Sequence, residues 1–367
     1  MLSPPNLQSL PRDILVMLPD YVHNIEDYTN LSSTCRALRN SMATAAPNNI
    51  LRLAAAQSKV FFRPDPLFLL MATAKQLGNW ARMSVANEQE FASKCKGGND
   101  GLFELALEHC GLTLESIREL HLSRFSIINP VVDIIDKCVG TQWYATENFW
   151  NGGVSDAYTI HADPNDTLFH LSIYGELFAP DTEAILNQDA EARKLSVATR
   201  LEFVKYCLPD CYCEDGSGPS DGDPRRIVEE VGPYRKVNNR WIEFPNNNNL
   251  ALEWTIQSSR WRPYWKEMRS LAATDFEETF DDERGSLLKE EGPNDWRQRL
   301  WENVMLCQGL TGLGMMRPQL RNLWVDKVRL WKDQISKLPK KSALVMVEER
   351  ATLEYPYILG DLRLLSS

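Results

Sequence analysis

The sequence is poor in the residues that build disulfide scaffolds and metal centres. It has eight cysteines and five histidines among 367 residues. Eight cysteines are too dilute for a disulfide-stabilised domain, and the first residues lack the basic and apolar regions of a signal peptide. Both observations predict reduced thiols and a cytoplasmic or nuclear location. Cys207, Cys211 and Cys213, with His161 or His170 as a fourth ligand, lack the paired spacing of a structural zinc site, so we predict no metal and no cofactor.

Long apolar runs, internal repeats and catalytic motifs are also missing. The longest apolar stretch, Leu67 to Ala74, is far shorter than the roughly 20 residues that cross a bilayer, so we expect no membrane partner. No repeat of about 20 to 50 residues is present, which excludes the common repeat platforms. Gly309 begins the sequence GLTGLG, but no Lys-Ser/Thr follows, so this segment does not predict a phosphate-binding loop.

The composition that remains is typical of a folded protein. Hydrophobic residues make up 43% and charged residues 25% of the chain, and the net charge is -10. Apolar residues at helical spacing dominate, so the predicted fold class is mainly α. We predict a small three-helix unit at residues 7–45, followed by a large non-repeat helical domain. Its first part, residues 46–209, is helical with a minor β-hairpin or small sheet around 141–175. A loop or linker at 210–226 follows, and then a Trp-rich helical part at 227–367 of the same compact domain.

The N-terminal unit shows clear helix boundaries. Pro11 suits a first helical turn, because its missing N–H would have no partner there, and Pro19 predicts the end of that helix. Asn30 is a plausible cap for a later helix that contains Leu31, Cys35 and Leu38 on one face. Such short helices bury little surface alone, so this unit needs the rest of the chain or a partner protein.

Two ordered motifs lie in this unit, Leu10-Pro11-Arg12-Asp13-Ile14-Leu15 and Leu31-Ser32-Ser33-Thr34-Cys35-Arg36-Ala37-Leu38-Arg39. Together residues 7–42 resemble an F-box of the filamentous-fungal type. The resemblance implies a substrate receptor that binds the Skp adaptor of a cullin-RING ubiquitin ligase and a protein substrate. It implies adaptor contacts by the apolar residues Leu10, Pro11, Ile14, Leu15, Leu18, Leu31, Cys35 and Leu38. The alternative is an ordinary helical start with no adaptor.

Tryptophan is concentrated in the C-terminal part. Eight of the eleven tryptophans follow position 239, and Trp324 and Trp331 are seven residues apart on one predicted helix face. This pattern fits a tryptophan-rich core. It also fits an aromatic groove, because tryptophan offers a large contact area and a polar N–H group.

Charge is segregated in the same part. Residues 275–291 carry eight acids and two bases, and residues 317–341 carry eight bases and two acids. Clustered carboxylates suit a guanidinium group, and basic residues suit phosphates. A second function therefore stays open, a tRNA-dependent, arginine-containing cyclodipeptide synthase of fungal specialised metabolism, which is an aminoacyl-tRNA-dependent, peptide-bond-forming transferase. We assign its catalysis to Asp281, Asp282 and Glu283, and its tRNA binding to Arg260, Arg262, Arg317 and Arg321. The sequence does not decide whether the chain is an enzyme.

Overall fold

A computed structural model describes residues 10–56, 66–139, 163–208, 261–272 and 295–339, four short strands, and the separate positions 252 and 255. The described helices are α1 Arg12–Tyr21, α2 Ile25–Thr34, α3 Arg36–Met42, α4 Pro47–Ala55, α5 Pro66–Arg82, α6 Val85–Cys95, α7 Gly98–His109, α8 Leu114–Ser123, α9 Asn129–Val139, α10 Pro164–Leu186, α11 Val197–Cys207, α12 Arg262–Ala272, α13 Asp295–Leu306, α14 Gly309–Leu313 and α15 Val325–Lys337. The prediction of a mainly α fold is confirmed. None of these helices combines the length and apolar character that a membrane span requires.

The described strands form two antiparallel pairs. Strand β1 (Lys236–Val237) pairs with β2 (Arg240–Trp241), and β3 (Val345–Val347) pairs with β4 (Arg350–Thr352). Neither pair lies in the segment 141–175, where the sequence predicted a hairpin. Residues 141–162 and the predicted loop at 210–226 fall outside the described residues.

Helix α10 is the centre of the large hydrophobic core, and it corrects the strand prediction for residues 164–175. Asp163 caps its first turn by accepting hydrogen bonds from two backbone N–H groups, and Pro164 occupies the first position. Helices α5, α9 and α14 pack around it. Because α10 is buried on most sides, it has no polar face. Its sequence therefore lacks the alternation of apolar and polar residues with a period of about 3.6 that marks an amphipathic helix. Its aromatic and β-branched residues resembled a strand for that reason.

A close backbone approach joins α10 to the start of α14. A side chain at Gly175 would collide with the backbone of Gly309, so only glycine allows this contact. Gly309 itself has a φ of +69°, in the left-handed region. Next to it, Glu176 Oε1 accepts a hydrogen bond from Leu310 N at 3.1 Å. The helix start within GLTGLG is therefore occupied by a carboxylate of the same chain.

Helices α8 and α9 are joined by a π-helical turn at Arg124–Ile128. Pro130 follows after Asn129, and its ring nitrogen has no N–H to donate to Ser126 O. The backbone adapts by a wider turn in which Asn129 N bonds to Arg124 O. Leu122 and Phe125 lie exposed at this turn.

Helices α2, α3 and α4 form a small core of their own, and α1 packs on α3. It consists of five buried side chains, Ile25, Tyr28, Met42, Ile50 and Leu53. Leu114 and Ile117 of α8 pack against this core. Leu51 and Ala54, on a neighbouring face of α4, belong to the large core. Helix α4 thus contributes to both cores and attaches the N-terminal helices to the rest of the chain.

Two helix boundaries in this unit differ from the sequence prediction. Helix α1 continues through Pro19 to Tyr21, and Pro19 is buried inside the unit. Asn30 lies within α2, whose cap is Asn24, which accepts a hydrogen bond from Asp27 N at 2.8 Å. The chain breaks instead at Cys35, whose extended backbone separates α2 from α3. Packing of α3 on α1 and α2 overrides these local signals.

Candidate docking surface

Helix α1 exposes a row of apolar side chains on its outer face. Leu10 precedes the helix, and Ile14, Met17 and Tyr21 follow at intervals of four, three and four residues. This spacing places them along one side of a helix. Ile14 is 46% exposed, Met17 45% and Tyr21 69%. No described element covers this row, which has the pattern of a helix that binds in a groove of another protein.

The inner face of α1 holds the helix in place. Leu15 on α1 and Leu38 on α3 are 5% and 4% exposed, and these two helices pack on each other. Tyr28 of α2 donates a buried hydrogen bond from its hydroxyl to Met42 O. The exposed apolar row is therefore carried by a helix whose opposite face packs against α3.

The eight residues that the sequence assigned to adaptor binding differ in their exposure to solvent. Leu10, Pro11 and Ile14 are exposed, whereas Leu18, Leu31 and Cys35 are half-buried. Leu15 and Leu38 are buried inside the chain between α1 and α3, so the free chain does not present them on its surface. Met17 and Tyr21 belong to the exposed row but were not among the eight residues. Their spacing from Ile14 was visible in the sequence, but Tyr21 lies beyond Pro19, where the helix was expected to end.

The arginines assigned to tRNA binding are not gathered at a described surface. Arg321 is buried, pairs with Glu267, and donates hydrogen bonds to Met315 O at 3.3 Å and Met316 O at 3.2 Å. In this structure its guanidinium group is therefore engaged by atoms of the same chain and is not displayed at the surface. Arg317 is half-buried. Arg260 lies outside the described residues, and Arg262 begins α12 without a described side chain.

The three acids assigned to catalysis, Asp281, Asp282 and Glu283, lie outside the described residues, as do Cys211, Cys213 and His161. Cys207 is buried, and its thiol contacts Cys95 O at 3.8 Å. The described tryptophans of the C-terminal part mostly belong to the core, since Trp261, Trp265, Trp301 and Trp331 are buried. Trp324 is half-buried, and Lys327 Nζ lies over its ring and that of Trp331 at 5.1 and 5.2 Å.

His170 of α10 is a buried polar group with an incomplete set of partners. Its Nε2 lies 3.0 Å from Asn99 Nδ2, which also donates to Cys207 O at 3.3 Å. Within the described part of the chain, its Nδ1 has no hydrogen-bond partner. Burial lowers the pKa of His170 from 6.5 to about 4. The neutral imidazole is therefore the folded form at neutral pH.

We expect His170 to make the fold sensitive to acid. Its pKa is lower in the folded than in the unfolded chain, so its contribution is complete above about pH 6.5 and is lost as the pH falls toward 4. Between pH 7.5 and 4.5, the wild type should lose about 2 kcal/mol more unfolding free energy than His170→Phe. Urea unfolding at both pH values measures this difference. His121→Gln, at an exposed position, is the control, and equal losses in wild type and His170→Phe would contradict the assignment.

Comparisons with protein-family models, curated proteins and solved structures give no match for this chain.

Proposed function

We propose that this chain is an F-box-type substrate receptor that docks through α1 on the Skp adaptor of a cullin-RING ubiquitin ligase. The observation that carries the proposal is the exposed apolar row of Leu10, Ile14, Met17 and Tyr21. It lies in the segment whose ordered motifs resemble an F-box. An amphipathic helix inserts such a row into an apolar groove and gains affinity from the buried area.

The proposed protein forms no covalent bond itself. It brings a protein substrate close to the charged ubiquitin carrier, and this proximity raises the rate of transfer to a substrate lysine. The larger helical part of the chain holds the substrate under this proposal. A location in the cytoplasm or nucleus belongs to the same proposal, and the six cysteines of the described residues, all free thiols, agree with it.

Co-expression of the full chain with a fungal Skp adaptor tests the proposal. We expect a complex of one chain and one adaptor that stays together through size-exclusion chromatography with light scattering. A well-folded chain that elutes separately from the adaptor at about 10 μM, where a specific interface of ordinary size is expected to persist, would overturn it.

The second function predicted from the sequence, the cyclodipeptide synthase, gains no support from the described contacts. Its catalytic acids are outside the described residues, and Arg321 is committed to internal bonds. We therefore do not advance it as a second candidate.

A further inference from the structure

Helices α6 and α7 pack side by side and bring charged residues from both into facing positions. Lys94 of α6 faces Glu104 of α7, and Lys94 Nζ lies 3.3 Å from Glu104 Oε2. One helical turn further from the connection between the helices, Glu90 of α6 and Glu108 of α7 come together. The first pair, Lys94 and Glu104, has opposite charges, whereas the second pair, Glu90 and Glu108, consists of two carboxylates.

The facing acids have a third neighbour. The donor atoms of Glu90, Glu108 and His109 lie within 4.8 Å of one another, and His109 Nε2 is 3.9 Å from Glu108 Oε2. Among the described residues, no lysine or arginine forms an ion pair with Glu90 or Glu108. Two carboxylates at this separation repel each other, so a cation placed between them relieves the repulsion.

The His109 ring is held in position by Trp80 of α5. The two rings stack with their centres 4.2 Å apart and their planes 16° from parallel. This stack occupies the flat side of the imidazole and leaves the ring edge, which carries both nitrogens, for other partners. An imidazole and two carboxylates match the ligand preference of zinc better than that of magnesium or calcium, which prefer oxygen ligands alone.

We propose that Glu90, Glu108 and His109 form a zinc-binding site that bridges α6 and α7. Donors about 2.1 Å from one tetrahedral ion lie roughly 3.4 Å apart. The three side chains are exposed, so small rotations bring their donors from the observed separations to that distance. Three protein ligands leave at least one coordination position for water. The sequence concealed this site because Glu90 and Glu108 are on different helices, and only the packing of α6 on α7 joins them.

Zinc titration of the full chain, prepared without a histidine tag and stripped of metal, tests the proposal. We expect calorimetry to show one zinc ion per chain and thermal unfolding to shift upward with zinc. His109→Phe keeps an aromatic ring against Trp80 but removes the donor, and Glu90→Gln removes a carboxylate charge. Each should weaken binding at least about tenfold and abolish the shift in unfolding temperature.

Two further variants make the test specific. Glu104→Gln, at the neighbouring exposed position, should bind zinc like the wild type. Glu90→Lys should reproduce the Lys94–Glu104 pairing, raise the unfolding temperature without metal and bind no zinc at this position. No binding at about 100 μM zinc, or equal binding by wild type, His109→Phe and Glu90→Gln, would overturn the proposal. Neither result bears on adaptor binding, which is measured separately.

Discussion

Replacing Met17 and Tyr21 together by aspartate is expected to weaken adaptor binding at least about a hundredfold. Both side chains are exposed in the free chain, so the change removes apolar contact from the interface and places two charges against an apolar groove. The same exposure predicts an unfolding free energy within about 0.5 kcal/mol of the wild type. Calorimetry with the purified adaptor measures the first quantity, and urea unfolding measures the second.

Leu122 and Phe125 supply the matched control for this prediction. They are 66% and 61% exposed, but Leu122 lies near the end of α8 and Phe125 in the π-helical turn that follows, away from α1. Leu122→Asp with Phe125→Asp should leave adaptor affinity unchanged. Leu15→Asp is unsuitable, because a charge inside the unit is expected to unfold it. Undiminished binding by the Met17 and Tyr21 variant would exclude α1 as the docking helix, even if the chain binds an adaptor elsewhere.

Asp181→Asn is expected to destabilise the fold by roughly 3 to 5 kcal/mol. Asp181 of α10 is buried, and its Oδ1 accepts hydrogen bonds from Arg82 Nε at 2.6 Å and Leu195 N at 3.3 Å. Arg82 also donates to Leu177 O at 2.7 Å. Removing the carboxylate leaves the Arg82 guanidinium charge buried without its counter-ion.

The exposed pair of Lys94 and Glu104 is the control for this second prediction. Its atoms are also in contact, but water screens both charges, so Glu104→Gln should change the unfolding free energy by less than about 1 kcal/mol. Replacing Arg82 together with Asp181, as Arg82→Met with Asp181→Leu, should destabilise less than Asp181→Leu alone, because the Arg82 charge is removed together with its counter-ion. Urea unfolding of all four variants measures these differences. An Asp181→Asn chain as stable as Glu104→Gln would contradict the prediction.

The sequence was informative where helices have one buried and one exposed side. The helical period around Ile14 and Leu15 predicted α1, and Pro11 indicated its start. The period identified apolar residues but not which of them turn inward, since that depends on how α3 packs against α1. Leu15 and Leu38 were therefore assigned to an interface with another protein, although they fill the interface between these two helices.

Local sequence patterns gave wrong or incomplete predictions where the structure depends on burial or on contacts between residues far apart in the sequence. Helix α10 lost its helical period because its neighbours surround it, and its aromatic residues suggested a strand. Arg321 belonged to a basic run, yet it is held by Met315 O, Met316 O and Glu267. A charge run in the sequence does not reveal which members have partners inside the fold. Only the assembled helices show this.

Helix α4 has a mechanical consequence for the proposed receptor. Two neighbouring faces of this helix are embedded in different cores, Ile50 and Leu53 in the small one and Leu51 and Ala54 in the large one. A helix packed in both cores fixes the orientation of the N-terminal helices relative to the rest of the chain. A flexible linker would limit only the distance between them. Under the proposed function, a ligase attached to α1 would face the helical body at an angle set by side-chain packing. That angle, rather than the length of a flexible connection, would decide which lysines of a bound substrate come within range of the ubiquitin carrier.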